Sequence, residues 1–162
     1  LTENQTQRKC VAAIRIRGVI SASLDARETL KMLRLTKNNY AVLIDDRQSY
    51  LGMLSLVRDY VTYGEPSKEM VTELIKQRGR LLGNKKLTED YAQKNGYDSL
   101  EALASAVFEC KVEYQKLPRI QPVFRLHPPT KGFKHNIKRG YGSGGELGYR
   151  AEKIDELLKR MF

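Results

Sequence analysis

Asp45 and Asp46 stand side by side, and Glu65 follows a short way down the chain. Three such carboxylates could hold Mg²⁺ for phosphodiester hydrolysis, the chemistry of an RNA-processing enzyme. No His or Lys base lies beside them in sequence, and acids placed just before a helix are favoured by its dipole, so a structural role is the stronger reading. His127 and His135 are the only histidines and stand eight positions apart, while zinc needs four ligands that no neighbouring cysteine or acid supplies. Cys10 and Cys110 belong to no paired motif, which fits a reducing compartment better than a disulfide framework. Gly142-Ser-Gly-Gly145 lacks the Gly-Lys-Ser/Thr ending of a nucleotide loop. The residues therefore argue for no catalytic group, no metal and no cofactor.

What the sequence is rich in is positive charge. The chain has 162 residues, with 29 Lys and Arg against 19 Asp and Glu, for a net charge of +10. Most of the excess lies in residues 119–162, and two stretches, Lys76 to Lys86 and Arg119 to Tyr141, contain no acid at all. Such charge repels itself on folding, and a polyanion relieves it by exchanging condensed counterions for Lys and Arg. Outward bases at strand and helix ends, namely Arg15, Arg17, Lys31, Arg34, Lys37 and Arg47, are candidates for phosphate contact. Arg78, Arg80, Lys85 and Lys86 belong to the first acid-free loop. In the second, Arg125, Lys131, Lys134, Lys138 and Arg139 alternate with Pro, Gly, Phe124, Phe133 and Tyr141. That composition predicts a segment unable to bury its own backbone, ordered by RNA, with His127, His135 and Tyr141 available to stack on unpaired bases.

The elements that must position these groups follow from periodicity. Cys10, Ala12, Ile14 and Ile16 alternate with Val11, Ala13, Arg15 and Arg17, which predicts a strand with one apolar face. Asp25 can cap a helix carrying Leu30 and Leu33 inward, and Tyr40–Ile44 reads as a strand buried on both sides. Ser49 can cap a second helix with Tyr50, Met53, Leu54 and Val57 on one face, before a third strand over 60–63 that ends at Gly64. Met70, Val71, Leu74 and Ile75 predict a third helix stopped by a left-handed Gly79, and two short helices follow, one begun by Thr88 and the other at Asp98 or Ser99. Pro122, Pro128 and Pro129 forbid helix beyond Pro118, so Val123–Leu126 must be extended, and the glycines from Gly140 to Gly148 predict a flexible run. Ile154, Leu157, Leu158 and Met161 then make one face of a final helix. No run approaches the ~18 apolar residues a membrane helix needs, and the first residues have no apolar signal core, so a cytoplasmic protein without membrane contact is expected.

Thr29-Leu30-x-x-Leu33-x-Leu35-x-Lys37, Val42 and Met53-Leu54-x-x-Val57-x-x-Tyr60-Val61 resemble the family of large-subunit ribosomal proteins called L thirty in bacteria and archaea and L seven in eukaryotes. Asp45-Asp46-x-x-Ser49-Tyr50-Leu51-Gly52-Met53 and Val61-Thr62-Tyr63-Gly64-Glu65 look archaeal or eukaryotic. Arg78-Gly79-Arg80-x-x-Gly83-Asn84-Lys85, Phe124–Pro129 and Gly145-x-Leu147-Gly148-Tyr149-Arg150 resemble the extension of those longer members, and bring Arg150 into the candidate RNA-binding set. The resemblance implies an α+β fold: a β-α-β-α-β unit with a three-stranded sheet and two helices on one face, similar to the ferredoxin-like fold. It implies an N-terminal arm over 1–9, that core over 10–66, a helical extension over 67–118, and a basic extended segment with a C-terminal helix over 119–162. Its implied role is a non-enzymatic constituent of the large ribosomal subunit in the cytoplasm. The implied partners are large-subunit ribosomal RNA, with 5S ribosomal RNA as a further candidate, and neighbouring ribosomal proteins. A metal-dependent RNA-processing enzyme and a free RNA chaperone are the alternatives.

Overall fold

The computed structural model describes residues 7–162, so most of the predicted arm lies outside the described residues. β1 (Cys10–Arg15) sits at the centre of the first unit, antiparallel to β2 (Tyr40–Asp45) and to β3 (Val61–Gly64). α1 (Leu24–Met32) joins β1 to β2, and α2 (Gln48–Leu56) joins β2 to β3, giving the expected β-α-β-α-β order. Two caps differ from expectation. Ser23 rather than Asp25 caps α1, its Oγ accepting from Ala26 N at 3.3 Å, and α2 begins at Gln48, placing Ser49 inside its first turn.

The expected three-stranded sheet is a six-stranded one. Its order is β4-β2-β1-β3-β6-β5. β4 (Phe124–Arg125) pairs antiparallel with β2, and β6 (Gly145–Tyr149) pairs parallel with β3, so the tail covers both edges that the first unit alone would leave open. β5 (Asn136–Gly140) lies outermost on β6 with an irregular register. The glycine-rich stretch expected to be flexible is thus largely strand.

Both sheet faces are covered. α1 and α2 close one face over Val11, Ala13, Val42, Ile44 and Val61. The other face, through Cys10, Ala12, Ile14, Ala41 and Leu43, packs against the helical extension and the tail. That layer comprises α3 (Lys68–Arg78), α4 (Glu89–Lys94), α5 (Leu100–Phe108) and α6 (Ile154–Met161). With helices on both sides, all six residues of β1 are buried, including those expected to face outward. The segment expected to need RNA for its order instead contributes Ile120, Phe124 and Leu126 to the core, with Phe124 stacked on Tyr114 at 4.7 Å, and the apolar face of α6 joins them as expected.

Two glycines are there for close approach. A Cβ on Gly64 would lie 2.1 Å from the Ala151 carbonyl oxygen, and one on Gly79 would lie 2.4 Å from that of Ile75. Gly79 ends α3 in an extended conformation, φ −62° and ψ 131°, and not in the left-handed one expected. Crowding, not a positive φ, is what excludes other residues there.

Candidate nucleic-acid interface

The strand registers set two poles. At one, the end of β1 meets the starts of β2 and β3: Ile16 N and Arg17 N donate to the Tyr60 carbonyl at 3.0 and 3.1 Å, and Asn39 N donates to that of Arg15 at 2.8 Å. Arg125 stands opposite Tyr40 in the register, and Leu126 N donates to the Asn39 carbonyl at 3.1 Å. α3 ends beside the segment that leads into β4, since Gln121 N donates to the Arg80 carbonyl at 2.8 Å. The end of α6 joins them, its Met161 and Arg160 carbonyls accepting from His127 N and Thr130 N at 2.9 and 2.8 Å. β6 enters parallel to β3, so its first residues lie toward the same end.

This pole collects Arg17, Arg34, Lys37, Arg125, His127 and Lys131, while Arg78, Arg80, Lys85 and Lys86 lie on the loop after α3, beside residues 119–121. The opposite pole collects carboxylates: Asp45 and Asp46 at the end of β2, Glu65 after β3, Asp155 at the start of α6, and Glu109 and Glu113 beyond α5. Charge is segregated along the strand direction, and a polyanion can approach one end without meeting the acids of the other.

Set beside known proteins, the chain matches the Ribosomal protein L30p/L7e family over residues 11–61. It is 50% identical to the large ribosomal subunit protein uL30 of Archaeoglobus fulgidus, over 93% of this chain and 98% of that protein. The uL30 proteins of Methanopyrus kandleri and Staphylothermus marinus are 45% and 47% identical, over 90% and 93% of this chain and 99% and 96% of theirs. The chain belongs to this family. Its relatives span the tail as well as the β-α-β-α-β unit, as the woven six-stranded sheet requires.

Within this family member, the candidate cations divide by what they touch. Arg15 is only 7% exposed; its Nε donates to the Arg17 carbonyl at 3.1 Å and its Nη1 to that of Leu35 at 3.2 Å, so it ties β1 to the loop after α1. Arg47 grips both oxygens of Asp45 at 2.7 and 2.6 Å, reaches Glu113 at 2.5 Å, and lies 4.9 Å over the Tyr50 ring. It sits at the acidic pole. Arg150, 6% exposed, donates to Thr62 Oγ1 at 2.7 Å and to Glu146 Oε2 at 2.6 Å, and stacks on Tyr141 at 5.0 Å. Arg15 and Arg150 are buried in these ties, which leaves them no surface to offer RNA, whereas Arg47 is paired but stays 29% exposed.

The rest are available. Lys31, Arg34, Lys37, Lys85, Lys86, Arg125, His127, Lys131, Lys134, His135, Lys138 and Arg139 are exposed, and Lys31 carries only a surface pair to Glu28 at 3.2 Å. Arg17 is half-buried beside Tyr60, 5.9 Å from its ring, and Arg78 and Arg80 are half-buried at the end of α3. Lys134, His135, Lys138, Arg139 and Tyr141 form a separate strip along the outer edge at β5. Glu146 holds that strip from beneath, accepting from His135 N at 3.1 Å.

The acids at the end of β2 are engaged by cations and backbone amides. Burial alone would raise the Asp45 carboxyl, but its hydrogen bonds to Arg47, with Arg8 at 3.3 Å, hold it below the usual carboxylate range. Asp46 Oδ1 accepts from Lys9 N at 3.1 Å. Among the described residues, no three His, Cys, Asp or Glu side chains converge as metal ligands do. Cys10 and Cys110, distant in sequence, line one small cavity, and burial pushes their thiols up to about 12 and about 11. Neither is a reactive thiolate.

Proposed function

We propose that this chain is a structural constituent of the large ribosomal subunit in the cytoplasm, where it binds and stabilises folded ribosomal RNA and performs no catalysis. The observation that carries the reading is its end-to-end likeness to archaeal uL30 proteins, each named for that subunit. The segregated cationic pole supports the mechanism. Lys and Arg at strand and helix ends neutralise phosphates where RNA helices approach, and the rigid sheet fixes the spacing between them.

The contact set proposed is Arg17, Arg34, Lys37, Arg125, His127 and Lys131 at the pole, Lys31 on α1, Arg78, Arg80, Lys85 and Lys86 on the loop after α3, and Lys134, His135, Lys138, Arg139 and Tyr141 along β5. 5S ribosomal RNA is a further candidate ligand, and neighbouring ribosomal proteins are expected against the remaining surface. The β1–β3 unit with α1 and α2 is proposed as a ferredoxin-like core over 10–66, to which 67–118 and 119–162 add layers of the same hydrophobic interior.

Sucrose-gradient sedimentation of host extract at high salt tests the reading. The protein should travel with the large subunit. Recovery only at the top of the gradient, with RNA-annealing activity retained, would favour a free chaperone and overturn it.

A further inference from the structure

The loop between β1 and α1 holds two aliphatic side chains out in solvent. Ile20 is 94% exposed and Leu24, the first residue of α1, is 72% exposed, whereas Val19 packs inward and Ala22 is buried. The arrangement is braced. Arg27 donates from Nε to the Val19 carbonyl at 3.2 Å and from Nη2 to the Ile20 carbonyl at 2.5 Å. Ala22 N closes the turn onto the Val19 carbonyl at 3.1 Å, and Ser23 caps the helix that follows. The loop cannot fold Ile20 down onto the core without giving up the two guanidinium bonds.

Single exposed apolar side chains are common and need no explanation. Here two lie four positions apart on a locked loop at the cationic pole, directly after Arg17. Between residues 17 and 37 stand Arg17, Arg27, Lys31, Arg34 and Lys37 against only Asp25 and Glu28. The cations around the pair are complementary to a polyanion, and apolar side chains set among Arg and Lys are how nucleic-acid binders press against a minor groove or an opened base step. Double-helical RNA offers a wide, shallow minor groove for such a contact.

We propose that Ile20 and Leu24 form an apolar contact with ribosomal RNA, seated on the sugar and base edges of a minor groove or on an unstacked base, while the cations around them hold the phosphates. This rests on the RNA-binding reading above and adds to it a site that no phosphate contact would reveal. Salt dependence separates the two kinds of contact. Phosphate contacts set the slope of affinity against salt, and an aliphatic contact changes affinity without changing the slope.

The test is a double variant, Ile20→Ala with Leu24→Ala, titrated beside the parent chain against deproteinised large-subunit ribosomal RNA over a range of salt. Both side chains are exposed, so the melting temperature should not move, and circular dichroism checks it. The expected result is roughly tenfold weaker binding with an unchanged log-log slope. Binding equal to the parent's overturns the proposal. So does full RNA affinity combined with lost incorporation into the subunit, which would assign the patch to a protein neighbour. A parent chain that fails to bind the RNA at all brings down the underlying reading, a result distinct from either.

Discussion

Three arginines that resemble RNA ligands in sequence are internal ties in the folded chain. The Arg150 guanidinium is spread over Thr62 Oγ1, Glu146 Oε2 and the Glu146 carbonyl, and so links β3 to β6 beneath the β5 strip. Arg150→Met should leave the Glu146 carboxylate buried without its partner, a loss of about 3–5 kcal/mol. Chemical denaturation should show the midpoint falling, whereas Lys138→Ala, which changes an exposed cation on the same unit, should leave it unmoved. A second residue-scale expectation concerns acid. The carboxyls of Asp45 and Glu113 are both held low by Arg47, and Lys116 helps at Glu113. Because their folded-state values lie below the ordinary ones, their stabilisation is full above the ordinary carboxylate range and is lost as pH falls through the folded values. Asp45→Asn should therefore lose less stability than the parent between about pH 5 and about pH 2, read as melting temperature against pH. An equal loss in both would mean that the Asp45–Arg47 pair contributes nothing to folding.

At the scale of elements, the tail is part of the core, and this reverses what its charge suggests. α6 buries Ile154, Leu157, Leu158 and Met161, and β6 completes the sheet against β3. Charge alone would predict that a chain ending at Gln115 still folds and merely binds RNA more weakly. The geometry predicts that it loses its cooperative melt, because Phe124, Leu126 and the α6 stripe leave an apolar sheet face and two open edges behind. A chain ending at Lys153 is the milder form. Losing four buried side chains worth roughly 1.5–3 kcal/mol each approaches the whole stability of a small domain, and a calorimetric scan should show no sharp transition. The order of the first three strands, the inward faces of α1 to α3 and α5, and the extended Val123–Leu126 were legible, because period and capping are local signals. Where β4 and β6 would pair was not. Their partners lie some eighty residues away, as Thr62 and Gly148 do, and the glycines and prolines that mark an edge strand or a close approach look, in sequence, like loop. The candidate interface divided in the same way: exposed lysines on loops were readable from composition. The internal bonds of Arg15, Arg47 and Arg150 were not readable, because only the fold brings the Leu35 carbonyl, Glu113 and Thr62 within their reach.

Over the whole molecule, what matters for RNA is where the positive charge faces rather than how much of it there is. Two variants of equal net charge separate these ideas. One reverses Lys37, Arg125 and Lys131 to Glu at the cationic pole; the other reverses Lys9, Lys68 and Lys111 to Glu around the acidic pole. All six side chains are exposed, so neither variant breaks a buried pair. Each takes the net charge from +10 down by six, to +4. If contacts are made by the pole where β1 ends and β2 and β3 begin, the first variant should lose about 0.7–0.9 in log-log salt slope for every phosphate contact removed, roughly 2–3 in all. The second should keep the parent slope and lose only the modest long-range attraction that salt screens within about 10 Å. Filter binding to deproteinised large-subunit ribosomal RNA, repeated at several salt concentrations, measures both. Equal slopes for the two variants, both shallower than the parent's, would mean that the RNA responds to total charge. The segregation along the strands would then have no part in recognition.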